Sequence, residues 1–193
     1  MKNVSFLPPV SLKLLFTFCA VALFMGMFSC TSTAPKVNKE EALKEASTPD
    51  VDFAKAIIAK NSSLGFAEAE KGKKDTLSMI ASALTKFNYD SVIEIGNEYI
   101  SRYGMDNDVR YMLATAMFQQ SEYAKAAEHY NALLVETEFE HQQMTKYYLA
   151  LCYLRFDSPS AKADALKLLN QLKADPGVDF KVSEIQMFID LIE

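Results

Sequence analysis

The side chains in this sequence that could do chemistry are few, and their spacing does not favour it. His129 and His141 lie twelve residues apart, which does not match the His-x-x-x-His or His-Glu-x-x-His spacing of helical zinc sites. Glu136, Glu138 and Glu140 could act in acid-base catalysis only if buried, and an exposed acidic edge is the simpler interpretation. The sequence also lacks a nucleophile elbow, a phosphate-binding glycine loop and a dinucleotide fingerprint. We therefore expect no metal, no other cofactor and no enzymatic activity.

Residues 1–29 have the layout of a secretory signal peptide. Lys2 and Lys13 supply positive charge, and residues 14–29 form an uncharged apolar run that ends directly before Cys30. This run is shorter than the roughly 20 residues that a membrane-spanning helix needs. We expect this segment to direct export.

The residues at the end of this run, Met27-Phe28-Ser29-Cys30, resemble the lipobox of bacterial lipoproteins. The resemblance implies that residues 1–29 are removed and that Cys30 carries lipid, which anchors the protein to a membrane. In such lipoproteins a residue other than aspartate directly after the cysteine favours the outer membrane, and Thr31 is such a residue. The expected location is therefore the cell envelope, at the outer membrane and facing the periplasm. An uncleaved signal anchor and an ordinary secreted protein are the alternatives.

The remaining cysteine and the net charge limit other functions. If Cys19 leaves with the signal and Cys30 is lipidated, only Cys152 remains, and no intramolecular disulfide can form. Cys152 lies in an apolar helical stretch, which favours a small buried side chain over a reactive thiol. The formal net charge of -5 is that of a poor nucleic-acid ligand.

The pattern along the chain divides it into three parts after the signal. Residues 30–50 are polar and are expected to form a flexible tether. Residues 51–74 predict a short amphipathic helix followed by a loop, with the basic run at residues 71–74 in that loop. From residue 75 to residue 193 the apolar residues recur at helical spacing almost without interruption, which predicts an all-α domain.

An internal repeat with a period of about 34 residues organises this helical domain. Tyr89 and Tyr123 occupy the same place in the turn of two predicted helical pairs and are separated by one such period. The second pair has leucine, alanine and tyrosine residues at Leu113, Ala114, Tyr123, Ala126 and Tyr130, and the third has comparable residues at Leu149, Ala150, Tyr153, Ala165 and Leu169, followed by Pro176. These residues resemble the tetratricopeptide repeat family. The resemblance implies a short right-handed superhelical stack of about three antiparallel helix pairs with flanking helices, in which Ala126 and Tyr130 serve packing.

The first pair departs from the family pattern. It has Val92 where the family has alanine and Gly96 where the family has an aromatic residue. In the third pair the turn is longer than in the second.

The resemblance also implies a groove lined by the first helix of each pair, where a peptide segment of a partner protein would bind. Extrapolating the register gives six candidates for this groove: Tyr111, Thr115, Gln119, Tyr147, Tyr148 and Arg155. The function expected is that of a lipid-anchored adaptor or scaffold for protein-protein interaction. The partner and the oligomeric state remain open.

Two alternatives belong to other classes of protein. One is a carbohydrate or small-ligand binder on the same scaffold, which the absence of tryptophan disfavours. The other is a homo-oligomeric structural scaffold that associates through the last helix, where Phe188 and Leu191 are expected to stay exposed.

Overall fold

The structure, a computed structural model, describes residues 38–45, 49, 51–62, 68–177 and 182–192. The predicted signal peptide at residues 1–29 and the predicted lipid attachment site at Cys30 lie outside the described residues.

These residues form nine α-helices and no strand, which confirms the all-α prediction. The helices are α1 (Lys39–Glu45), α2 (Val51–Ser62), α3 (Glu68–Thr85), α4 (Tyr89–Tyr103), α5 (Asn107–Gln119), α6 (Tyr123–Val135), α7 (Gln142–Leu154), α8 (Pro159–Ala174) and α9 (Val182–Asp190).

From α2 to α9, each helix packs against the next one in the chain. The helices α3 and α4, α5 and α6, and α7 and α8 form three successive pairs, while α2 packs on α3 and α9 packs on α8. Helix α3 also contacts α5, so the first helices of two successive pairs are neighbours. Short connections favour this arrangement, because two helices joined by a few residues are held side by side as antiparallel neighbours.

Local signals explain where the helices begin and end. The Asn88 side chain accepts a hydrogen bond from the Ser91 amide (3.3 Å), and the Asp106 side chain accepts one from the Asp108 amide (3.0 Å). Gly104 ends α4 at a φ of +81°, a value that glycine adopts without strain. Pro159 occupies the first turn of α8, where its missing N–H costs nothing.

The turns inside the first two pairs have the same backbone geometry. Phe87 and Ser121 adopt left-handed φ values of +57° and +63°, and the interval between them is the same as that between Tyr89 and Tyr123. Directly after them, the Asn88 amide donates to the Ala83 carbonyl (3.0 Å) and the Glu122 amide donates to the Met117 carbonyl (2.8 Å). Both turns are Schellman motifs. The repeat period therefore recurs in the backbone as well as in the sequence.

The centre of the core is formed by α5 and α7. Residues 111–118 of α5 and 147–152 of α7 are buried without interruption. A helix that is buried all round has neighbours on every side. Ala126 and Tyr130 of α6 are also fully buried, as expected for packing residues.

Two segments predicted to be irregular are helical. Within the predicted tether, residues 39–45 form α1, and Ala42 and Leu43 of this helix are buried. The basic run at residues 71–74, predicted as a loop, lies inside α3. In both cases glutamate, alanine and lysine favour the helix, and a single glycine such as Gly72 costs only about 1 kcal/mol in a helix interior.

Candidate binding surface

The structure buries four of the six side chains predicted to line a groove. Tyr111 and Thr115 are fully buried, and Tyr147 and Tyr148 are 7% and 3% exposed. The remaining two, Gln119 and Arg155, are half-buried. The expectation of accessible side chains thus does not hold for the first four. The physical reason is that the central residues of α5 and α7 are mostly apolar on every side, so that their periodicity does not distinguish an open face from a packed one.

The buried candidates pack between helices. The Thr115 hydroxyl donates to the Tyr111 carbonyl (2.9 Å) and lies 3.2 Å from the Tyr130 hydroxyl. Tyr148 stacks on Tyr130, with 5.9 Å between ring centroids, and meets Phe118 edge-on at 5.5 Å. These contacts join α6 to α5 and α7, which is a structural role.

Arg155, at the end of α7, packs on an aromatic ring. Its guanidinium lies 5.2 Å from the centre of the Tyr123 ring, a cation-π distance. Its Nε is buried without a hydrogen-bond partner in the part of the chain that the structure describes. The contact connects α7 to the start of α6.

Four aromatic rings form one group, here called the aromatic cluster: Phe53, Tyr111, Phe139 and His141. The groove prediction included only Tyr111 of these four residues. The Phe53 ring lies 4.6 Å from both Tyr111 and His141, in edge-to-face contacts. Phe139 completes the cluster at 5.7 Å from each of these two rings. Phe53 therefore connects α2 to Tyr111 of α5 and to His141, the residue directly before α7.

A cavity of about 520 Å³ adjoins the aromatic cluster. Phe53, Ile57 and Phe139 contribute apolar surface to it. Its charged lining is mainly acidic, with Asp108, Glu136, Glu138 and Glu140 opposite the single lysine Lys60. Aromatic surface beside carboxylates suits a positively charged group on an apolar stem.

The fold affects the ionisation of Asp108, one of the carboxylates that line this cavity. Burial raises its pKa above the usual value for aspartate, and the negative charge of Asp106 adds to the increase. The positive charge of Lys60 opposes the shift, and His141 acts in the same direction. A cation brought to this side of the cavity would therefore relieve an unfavourable charge.

A hydrogen bond and an ion pair, both made by Asp106, connect α3, α4 and α5. The Tyr99 hydroxyl donates to the Asp106 carboxylate (3.3 Å), which also pairs with the Lys73 ammonium at 3.5 Å. Burial and the Asp106 charge raise the pKa of Tyr99, so this hydroxyl stays protonated at neutral pH. These contacts stabilise the start of α5, which is a structural role.

Of the residues that first suggested chemistry, Glu136, Glu138, Glu140 and His141 line the cavity beside the aromatic cluster, whereas His129 and Cys152 lie elsewhere. Cys152 is fully buried, and burial raises the pKa of its thiol to about 12, which makes it a core side chain. His129 is half-buried, and burial together with the Arg110 charge lowers its pKa. In the described ranges no three His, Cys, Asp or Glu side chains are grouped as metal ligands.

The last helix does not show the exposed side chains that the oligomerisation hypothesis assumed. Phe188, expected to stay exposed, is fully buried and lies 6.1 Å from the Tyr147 ring. Leu191 is half-buried. The reason is that α9 packs on α8, and the Phe188 ring of α9 also contacts Tyr147 of α7.

Sequence reasoning missed Phe53 and Phe139 as members of the aromatic cluster. A signal for Phe53 was present, since Phe53 and Ile57 are four residues apart in a predicted amphipathic helix. No local pattern marked Phe139, which lies in the connection between α6 and α7.

Comparison with protein-family models, with curated proteins and with solved structures finds no match for this chain. Among the described helices, none combines the length and the apolar character needed to cross a membrane.

Proposed function

We propose that this protein is a lipid-anchored adaptor of the tetratricopeptide type, which mediates protein-protein interaction in the bacterial cell envelope by binding rather than by catalysis. The observation that carries the proposal is the repeat period. It recurs in the tyrosines that start α4 and α6, in the left-handed residues Phe87 and Ser121, and in the hydrogen bonds of both turns. That period, about 34 residues, is the length of a tetratricopeptide unit.

The binding surface proposed is the cavity beside the aromatic cluster, in place of the six residues first chosen. It combines buried aromatic side chains with acidic groups at its edge, and Val135 at this edge is 78% exposed. Aromatic anchors surrounded by polar groups are typical of surfaces that bind peptides. The partner in this proposal is a segment of another envelope protein.

Photo-crosslinking in the native cell tests this function. A photoreactive amino acid is placed at Val135 or Glu138, both exposed at the cavity, and at Lys167, which is exposed on α8 away from the cavity. We expect one protein to be captured from the two cavity positions and not from Lys167. Equal capture from all three positions, or capture from none, would contradict an adaptor that works through this surface.

The membrane anchor is tested separately. Cys30→Ser should leave the signal peptide uncleaved and should remove the lipid from the mature protein, with a corresponding change in mass. An unchanged mass and unchanged recovery in the membrane fraction would show that Cys30 carries no lipid.

A further inference from the structure

The first helix pair leaves open a face that is covered in the second pair. Met79 of α3 is 57% exposed, whereas Leu113, its counterpart one repeat period later in α5, is 1% exposed. Ser82 is half-buried, and its counterpart Ala116 is fully buried. The turn geometry that the two pairs share fixes this correspondence. The same side of the repeat is therefore exposed in α3 and buried in α5.

The helix that covers this side of α5 is α4, the second helix of the preceding pair. Gly96 of α4 lies so close to Leu113 that a Cβ at residue 96 would be 2.7 Å from a Leu113 methyl carbon. Six residues earlier, the Asp90 carboxylate of α4 accepts a hydrogen bond from the Gln120 side-chain amide. Because Asp90 lies at the start of α4 and Gln120 directly follows the end of α5, the two helices run antiparallel.

The counterparts of Leu113 and Gln120 in the first pair are Met79 and Lys86. The Lys86 side chain is exposed and takes part in none of the ion pairs between described residues. Met79 and Lys86 line a cavity of about 440 Å³ on the side of α3 and α4. The other lining residues are Ser82, Ala83, Asn88, Ser91 and Ile95. Together these residues are here called the open face.

The two ends of the helical stack are closed differently. At the far end, α9 packs on α8 and Phe188 is fully buried. Helix α2 packs on α3 but leaves Met79 exposed, so α2 covers another side of that helix. The end repeats of a stack normally present a polar outer face to water. The open face instead presents Met79, and Phe87 beside it is 56% exposed, which is typical of a surface that another protein covers.

We propose that the open face binds an amphipathic α-helix of a partner protein, which runs antiparallel to α3 and packs on it as α4 packs on α5. Two features of α4 define this helix. A glycine or alanine lies opposite Met79 and lets the two helices approach closely. A carboxylate six residues before it pairs with the Lys86 ammonium, at the place where Asp90 accepts the hydrogen bond of Gln120 in the second pair. The open face shares no lining residue with the cavity beside the aromatic cluster, so it is a second interaction surface.

A second copy of the chain does not offer such a helix. Among the described helices, a carboxylate six residues before a glycine or alanine also occurs in α3 (Asp75 and Ala81) and in α5 (Asp108 and Ala114). In α3, α4 and α5 alike the small residue is buried against a neighbour in its own chain. The helix that fits the open face therefore belongs to a different protein.

The probe for this surface is a fluorescent synthetic peptide with the sequence of residues 88–104, because it carries both features of α4. Fluorescence anisotropy measures its binding to the full-length protein. Met79→Asp should weaken binding at least about tenfold, since it places a carboxylate in the apolar contact. Lys86→Asp should weaken it about fivefold, since it replaces attraction by repulsion. Lys167→Asp, on the exposed side of α8, is the matched control and should leave the affinity unchanged.

An exchange of charges identifies the site at which the peptide binds. A peptide with lysine in place of Asp90 should bind the wild type poorly and should regain affinity for the Lys86→Asp variant. If the peptide instead replaced α4 on α5, Gln120→Asp and not Lys86→Asp would restore that affinity, because Gln120 is the contact of Asp90 in the second pair. That result would overturn the inference.

No binding to the wild type, or equal affinity of all variants for the original peptide, would also overturn it. Met79 and Lys86 are exposed, so both variants should keep the circular dichroism of the wild type, and a loss of affinity then reports the contact itself. Sedimentation equilibrium tests the other occupant. A wild-type dimer that Met79→Asp dissociates would show that a second copy of the chain, and not a partner helix, covers the open face.

Discussion

The helix pairs α3/α4 and α5/α6 share one turn geometry but distribute side-chain volume in opposite ways. In α3/α4 the buried positions 80 and 92 hold isoleucine and valine, whereas the equivalent positions in α5/α6, one repeat period later, hold Ala114 and Ala126. At the next equivalent position the order is reversed, since Gly96 of α4 corresponds to Tyr130 of α6.

This difference places the close approaches of the helices at different points. In α5/α6 the two alanines bring the helices together, and Tyr130 extends toward Tyr148 of the next pair. In α4 the absence of a side chain at Gly96 lets Leu113 of α5 approach so closely that a Cβ on Gly96 would lie 2.7 Å from a Leu113 methyl carbon. One backbone repeat thus accepts two packing solutions, provided that a large side chain faces a small one.

The largest expected effect comes from Tyr130→Ala, which would remove the large side chain of the second pair. Tyr130 is fully buried, contacts the Tyr111 and Tyr148 rings and lies 3.2 Å from the Thr115 hydroxyl. We expect the free energy of unfolding to fall by about 3 to 5 kcal/mol, as for other buried aromatic residues replaced by alanine. Urea denaturation measures this change.

Tyr130→Phe is the matched control, because it keeps the ring and removes only the hydroxyl. Its cost should be about 1 kcal/mol, the typical value of one buried hydrogen bond. A loss below about 1 kcal/mol for Tyr130→Ala would mean that this side chain does not hold the two pairs together.

The second prediction concerns the small residue of the first pair. Gly96→Ala places a methyl group against Leu113, which is itself 1% exposed and has little room to move. Overpacking costs about 1 to 3 kcal/mol, and the better helix propensity of alanine offsets up to about 1 kcal/mol of this. We expect a net loss of about 1 kcal/mol.

Asn97→Ala, at the exposed neighbouring position of α4, is the control and should not destabilise the protein. If Gly96→Ala, like Asn97→Ala, did not lower the unfolding midpoint, the contact with Leu113 would not limit the distance between α4 and α5.

The repeat period and the packing roles of Ala126 and Tyr130 could be predicted because they depend on residues close together in the sequence. The contact of Phe53 with His141 could not, since it joins residues far apart in the chain and no local periodicity encodes it. The burial of Tyr111 and Tyr148 was missed for a different reason. The central residues of their helices are mostly apolar on all sides, so the sequence shows that these helices are central but not which side faces a neighbour.

The third prediction compares the two turns themselves. Phe87 and Ser121 both have left-handed φ values, but Phe87 is a bulky residue and its side chain is 56% exposed. The left-handed conformation costs a residue with a side chain about 1 to 2 kcal/mol, and glycine adopts it freely. After the larger entropy loss of glycine on folding, we expect Phe87→Gly to stabilise the protein by about 0.5 kcal/mol.

Ser121→Gly should shift stability in the same direction, since the geometry is shared. Phe87→Ala retains the left-handed strain and should give no such gain, which makes it the control. Destabilisation by Phe87→Gly in thermal unfolding would show that the exposed ring contributes contacts that outweigh the strain.

The smallest expected effect concerns the start of α5, where the second pair has Asp108 and the first has Lys74 at the equivalent position. Burial and the Asp106 charge raise the pKa of Asp108 in the folded protein. The folded state therefore binds a proton at Asp108 more tightly than the unfolded chain does. The charged form therefore lowers stability at neutral pH, and this penalty disappears as pH falls below the unfolded value of about 3.9. Asp108→Asn should raise Tm slightly at pH 7, and the gain should shrink on acidification. A gain that is the same at both ends of this pH range would contradict a cost of ionisation at Asp108, and would attribute the change to packing of the amide.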